Sequence, residues 1–205
     1  EKQFNRSNQS KSKGMEKFLQ RIATVIDKRA HSVEDLLTFM EKADLPIADD
    51  GTVIAYKVLD STDTPNVFVD KHTNRIKQRV GSLVFMDESL VDANNRNQCS
   101  NGLHIARRGY IRSFYCKNDP VVICKIAPED FIAVPSYDAD KVRVSRYHIV
   151  AKLPSEAAEL LNRGKPITDF EPMKELLGSI IAGKKDNIVE TVEITQHYGE
   201  GVIIT

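Results

Sequence analysis

The chain has 205 residues, of which 41% are hydrophobic and 28% charged, the composition of an ordinary globular domain with or without appendages. Lysine plus arginine equals aspartate plus glutamate at 29 each, so no global field draws it to nucleic acid or an anionic membrane. No apolar run approaches the ~20 residues of a bilayer span and no signal-peptide core opens the chain, which reads as cytoplasmic; its start at Glu1 reads as processing or as a piece of a longer protein.

Residues 1–14 are polar and read as a flexible tail. From Met15, Phe18, Ile22, Val25 and Ile26 recur at helical spacing, and a second helix opens at Ser32, with Asp35 three residues on as a capping signal. These two helices, residues 15–44, form a candidate hairpin whose apolar faces must be covered by the domain's sheet or by a partner. Pro46 and the run Asp49, Asp50, Gly51 turn the chain into a strand, Thr52 to Leu59. Tyr56 and Lys57 alternate along it and face opposite sides, so Lys57 reads as a surface residue or as a cation aimed at an anionic ligand.

Short strands follow at Val67–Val69, Ile76–Val80 and Ser82–Met86. With little helix between them, they predict a bent, mixed or antiparallel sheet rather than a doubly wound one. No dinucleotide-binding, P-loop or nucleophile-elbow motif occurs.

The stretch from Cys99 to Pro135 carries the densest set of site-like residues. Asn101 and Gly102 turn into a short strand, Leu103–Ala106, that bears His104; a helical segment with Arg107, Arg108, Tyr110 and Arg112 precedes a buried strand, Val121–Ile126. Between Ala93 and Asn118 there is no acidic residue, while Arg96, Arg107, Arg108, Arg112 and Lys117 add five positive charges. Guanidinium forks match phosphate or carboxylate oxygens, and Tyr110, Phe114 and Tyr115 offer faces on which a base can stack. The bland alternative is a solvated helix face with its aromatics in the core. His104 points away from both neighbours, into a pocket or solvent.

The spacing of Cys99, His104, Cys116 and Cys124 fits no common zinc pattern, and no nucleophile, base and orienting group assemble, so the sequence implies neither metal nor cofactor.

Lys141 to Leu153 begins with alternation that breaks at Arg146, which reads as a strand-edge residue or as one near a ligand. Beyond Pro154 the pattern turns helical, with Ser155–Arg163 stopped by Gly164 and a further helix, capped by Asp169 with Pro172 in its first turn, running to Gly183. Ile188 to Thr205 alternates and could add one or two strands.

The blocks LPIADDGTVIAYKVL, VGSLVFM, CSNGLHIARRGYI and ICKIAPEDFIAVPSYDADKVRVSRYHIV occur in this order, and in them the chain resembles the C-terminal domain of the bacteriophage rIIB family, protectors from prophage-induced early lysis. The likeness covers roughly residues 36–151. Its most specific pieces are Cys99-Ser100-x-Gly102-Leu103-His104, Pro128-x-Asp130 with Val134-Pro135, and Lys141-x-Arg143 with Tyr147. The chain departs from the long rIIB proteins in lacking their N-terminal part and in carrying its own helical extension. The resemblance implies a phage protein that works against host or prophage defence in the host cytoplasm, near the membrane beside an rIIA-like partner. It carries over no catalytic residues.

A more distant likeness, to ADP-ribosyltransferase domains, rests on Gly102–Ala106, Tyr110 with Tyr115, and Val121–Ile126. It implies a cleft for NAD or another nucleotide, but the glutamate such a transferase needs is absent from 131–155, leaving only Glu190 and Glu193.

The expected fold is therefore α+β, a bent mixed sheet flanked by N- and C-terminal helices. Its divisions are a tail at 1–14, a helical hairpin at 15–44, an rIIB-like domain at 45–153 and a C-terminal extension at 154–205. The expected ligand-binding set is Lys57, His104, Arg107, Arg108, Tyr110, Arg112 and Arg146. Three functions fit: non-enzymatic capture of a nucleotide-like host immune signal, an NAD-using transferase, or a scaffold that forms homo-oligomers or holds a host protein.

Overall fold

Strand β6 (Val121–Ile126), VVICKI, is buried at every position and sits in the middle of the molecule. Its near-continuous apolar run suits a strand covered on both faces. In the computed structural model, which describes residues 8–97, 100–106, 111–113, 115–136 and 141–195, two sheets and four α-helices are built around it. The helices are α1 (Asn8–Ala23), α2 (Val33–Ala43), α3 (Ser155–Asn162) and α4 (Pro172–Ile181).

The larger sheet has seven strands in the order β10-β4-β9-β6-β1-β2-β3. They are β1 (Val53–Ser61), β2 (Phe68–Asp70), β3 (Lys77–Gln78), β4 (Ser82–Met86), β6, β9 (Arg146–Lys152) and β10 (Glu190–Ile194). All neighbouring pairs run antiparallel except β10 with β4. The smaller sheet, in the order β5-β8-β7, joins β5 (Leu103–Ala106), β8 (Lys141–Val144) and β7 (Phe131–Ala133).

Two cores follow from this layering. On one face of the large sheet, Val53, Ala55, Val122, Cys124 and Tyr147 pack with Phe18 and Ile22 of α1, Leu36 and Met40 of α2, and Leu103, Ile105 and Val144 of the small sheet. On the other, Ile54, Tyr56, Ile123 and Val150 pack with Ala158 and Leu161 of α3 and Met173, Leu177 and Ile180 of α4. The N-terminal helices thus bury their apolar stripes on the domain itself. The molecule is an α+β protein with a bent mixed sheet, and among the described residues no helix is long and apolar enough to cross a membrane.

Helix α2 is fixed at its start by the capping signal. The Asp35 amide donates to Ser32 Oγ at 3.0 Å, and the Ser32 amide donates to Asp35 Oδ2 at 3.0 Å. Ser32→Ala is expected to cost about 1 kcal/mol in urea unfolding; an unchanged midpoint would show that the box contributes nothing. Helix α1 starts at Asn8, ahead of the apolar repeat and inside the stretch that composition marks as a tail. Its seat is made by Gly51, whose φ of 85° lies in the left-handed region and whose missing Cβ would stand 2.6 Å from the Phe18 amide nitrogen.

The run 141–153 forms two strands, in keeping with the break in its alternation at Arg146. It breaks at Ser145, whose amide donates to Asp130 O at 2.9 Å while its carbonyl accepts from the Met86 amide at 2.8 Å. That single residue hands the chain from the small sheet to the large one, which is why the alternation fails at Arg146. Asp169 is not a helix cap. It lies in a 3-10 turn, Ile167–Asp169, and α4 begins behind Glu171 without a side-chain cap, using Pro172 in its first turn.

Candidate functional site

Gly102 leads into β5 with φ 147°, and a Cβ there would meet Val91 Cγ1 at 2.9 Å, so only glycine lets Val91 lie this close to the start of the strand. His104, the second residue of β5, is 3% exposed and pairs in register with Arg143 of β8. Strand β2 pairs with β1 only over Leu59–Ser61, and at Tyr56–Val58 a small cavity of about 30 Å³ is bounded by Lys57, His104 and Lys141, with Tyr56 and the apolar Val58, Ala106 and Ile111.

Lys57 is the unusual member. It is 5% exposed, so the reading of it as a surface residue is overturned by burial of both faces of β1. Its Nζ donates to the His104 carbonyl oxygen at 2.9 Å and lies 4.8 Å from the centre of the Tyr147 ring. Among the described residues no carboxylate forms an ion pair with it. Burial pushes its ammonium down to about 8, with Cys124 and Asp70 countering. Asp70, the carboxylate that counters this burial, accepts from the amides of Thr73 and Ile76. A buried cation held by one carbonyl and one ring, beside a cavity lined by a second lysine and a histidine, is a place where an anion lowers the energy of its surroundings.

A second, wider cleft of about 500 Å³ lies at the other end of β6 and β9, lined by Arg21, Lys125, Glu129, Asp130, Arg146 and His148 with Asp50 and Asp186. Here the charges are paired. Buried Lys125 Nζ reaches Asp50 Oδ2 at 2.9 Å and both oxygens of Asp186 at 2.8 Å, and Arg21 grips Glu129 with Nε and Nη2. Burial alone would raise the Asp50 carboxyl, but bonds from Thr52 and Lys125 hold it below the usual range. Burial pushes Asp130 up to about 6, against the opposing pull of Arg146. Arg146 itself is half exposed, 3.9 Å from Asp130 Oδ2 and 5.7 Å from the Phe85 ring centre. His148 Nε2 lies 3.3 Å from the Asn187 carbonyl oxygen.

The expected binding set is therefore divided. Lys57 and His104 come together, Arg112 is exposed in the turn just after the cavity-lining Ile111, and Arg146 belongs to the second cleft. Arg107, Arg108 and Tyr110 lie outside the described residues, as do Cys99 and Phe114. Lys141 and Lys125 escaped the sequence reading; a lone lysine inside VVICKI was the available signal for the latter, because a charge in a doubly covered strand must have a partner. Cys124 packs in the core, and burial pushes its thiol up to about 12, which makes it inert as a nucleophile.

Fold and cavity define an α+β protein whose small sheet closes a cation-lined hollow against the edge of a larger one. The chain belongs to the family described as Bacteriophage T4 protein rIIB, which matches residues 8–164. It is 32% identical over 120 residues to Protein rIIB of Enterobacteria phage T4, an alignment covering 58% of this chain and 37% of that protein. The matched part is thus little more than a third of that relative's length. No solved structure matches the chain.

Proposed function

We propose that this rIIB-family chain is a phage-encoded counter-defence protein that works by binding rather than turnover, capturing a nucleotide-like host immune signal through an anionic group of that ligand. The observation that carries the reading is the burial of the Lys57 ammonium without a carboxylate partner among the described residues, in a cavity that also presents His104 and Lys141. A charged group kept inside a protein at such cost is a common mark of a binding site. To Arg112, exposed one residue beyond the cavity-lining Ile111, this reading assigns the solvent-facing part of the ligand.

Capture is favoured over transfer by the position of the glutamates. Glu190 sits on β10, at the far end of the large sheet, with β4, β9 and β6 between it and β1, and it is engaged by Ser82 Oγ at 2.6 Å and by Arg79 at 3.3 Å. Glu193 lies on the same edge strand. Neither lines the Lys57 cavity, where an ADP-ribosyltransferase-like reaction would need its acid.

Incubation with NAD, ADP-ribose and cyclic nucleotides, followed by heat denaturation and chromatography, tests the reading. The expected result is tight binding of one ligand and its recovery intact, with His104→Ala and Arg112→Ala weakening binding at least tenfold while the fold is kept. Release of free nicotinamide would make the protein an enzyme, and absence of any binding would leave it an interaction scaffold.

A further inference from the structure

We infer that the wider cleft is a second binding site, for the zwitterion of a free amino acid with an apolar side chain, in which Arg146 takes the carboxylate and Asp130 the ammonium group. The inference goes beyond the capture reading and does not depend on it. Every residue that lines this cleft is described, as are its neighbours in the chain. Two of the cations there are already gripped. Lys125 Nζ has Asp50 Oδ2 at 2.9 Å and Asp186 Oδ1 at 2.8 Å, and Arg21 Nη2 has Glu129 Oε1 at 2.8 Å.

The third pair is different. Arg146 Nε and Asp130 Oδ2 stand 3.9 Å apart, well beyond the ~2.7–2.9 Å of a charge-assisted hydrogen bond, and Asp130 Oδ1 is 3.4 Å from Ser145 Oγ. The Asp130 side chain is only 17% exposed, so it is shielded from water and weakly answered within the protein, in line with its rise to about 6. A positive group brought against it relieves that cost. Arg146 lines the cleft half-exposed, its guanidinium 5.7 Å from the centre of the Phe85 ring, and such a fork matches a carboxylate. An amino acid carries both charges on one carbon, so a single molecule set between the two side chains replaces one long ion pair by two short ones. A lone anion would meet repulsion from Asp130, and a lone cation from Arg146.

Strand register supplies the side-chain preference. Arg146 and His148 share a face of β9 two residues apart, about 7 Å. Their partners on β4 are Phe85 and Leu83. From a head group at Arg146 that step is the reach of a medium-sized side chain, and it leads to Leu83, with half-exposed Ile188 lining the same cleft. These are the surfaces an apolar side chain covers. The volume of about 500 Å³ lies in the range of small-molecule sites.

The test is calorimetric titration of the full chain with leucine, methionine and phenylalanine, with glycine as the reference. The tightest binder is then compared with its amide, which keeps only the ammonium, and its N-acetyl derivative, which keeps only the carboxylate. Asp130→Asn and Arg146→Gln are titrated beside the wild type and checked for folding by circular dichroism; the wild-type series decides the point even where a variant fails to fold. The expected result is binding at least tenfold tighter than that of glycine, at least tenfold loss on masking either charge, and a loss of the same size in both variants. An amide or N-acetyl form that binds as tightly as its parent would show that one charge is not read and would overturn the assignment. Full affinity in either folded variant would move the ligand out of this cleft, and glycine bound as tightly would remove the apolar preference; each overturns the inference as stated. No binding of any of these amino acids at millimolar concentration would overturn the site itself, while the nucleotide screen would still decide the capture reading.

Discussion

Replacing Arg143 with alanine is expected to lower the unfolding free energy by about 3–5 kcal/mol, the range for removing a buried charge that several groups depend on. Arg143 is 3% exposed in β8. Its Nε donates to the Asp92 carbonyl oxygen at 2.8 Å, and Nη1 and Nη2 donate to the carbonyls of Asn97 and Asn94. A charge-assisted bond of this kind contributes roughly 1.5–3 kcal/mol, and the sum is reduced because part of the 92–97 loop reaches water once released. Lysine is expected to restore less than half of the loss, since one ammonium cannot reproduce a planar fork that spans three carbonyls. Urea denaturation of the two variants checks this. A loss under about 1 kcal/mol for the alanine variant would show that the loop holds itself in place without the guanidinium.

Lys57→Met is expected to do the opposite to stability, raising it by about 2 kcal/mol at pH 7, because methionine keeps the length of the side chain and removes the buried charge. Burial takes the Lys57 ammonium from 10.5 down to about 8 in the folded chain. A base with a depressed folded pKa carries its full penalty below pH 8. Between about pH 8 and 10.5 the unfolded chain holds the proton more tightly than the folded one, so stability rises with pH through that window, by about 3 kcal/mol in all. The hydrogen bond lost to the His104 carbonyl oxygen takes back about 1 kcal/mol. The gap between variant and wild type is therefore expected to close, then reverse slightly, as pH rises from 7 to 10.5. A variant less stable than wild type at pH 7 would mean that Lys57 is a structural tie and not a strained binding group. Gain of stability together with loss of ligand is the signature that a residue is kept for function.

How much of this was readable beforehand varied with how local the cause was. Strands β4, β5 and β6 have the boundaries their sequences suggest, because turn formers such as Gly81, Gly102 and Pro128 punctuate them. The Ser32 cap is written in four consecutive residues and was equally plain. The fate of Lys57 was not, since its burial is imposed by β5 and β8, almost fifty and more than eighty residues further on. The same holds for Arg143, which alternation places on a polar face and topology places beneath a loop. The break at Arg146 was visible, but the change of sheet at Ser145 was not, because the pattern of apolar residues records which faces are covered but not which sheet covers them. The family likeness was legible in ordered blocks from residue 36 to 151, and the matched span extends on both sides to include all of α1 and all of α3.

Helix α4 has a consequence for what a family boundary means. The match ends at residue 164, yet Met173, Leu177, Ile180 and Ile181 lie beyond it and share with α3 the covering of one face of the large sheet, over Ile54, Tyr56 and Ile123. Lys125, in the central strand, is likewise neutralised by Asp186 from outside the matched span. The inherited segment and the folding unit are therefore different objects. The family match recognises residues 8–164, but part of the apolar cover of their sheet comes from residues 173–181, so the recognised segment by itself leaves that face partly open.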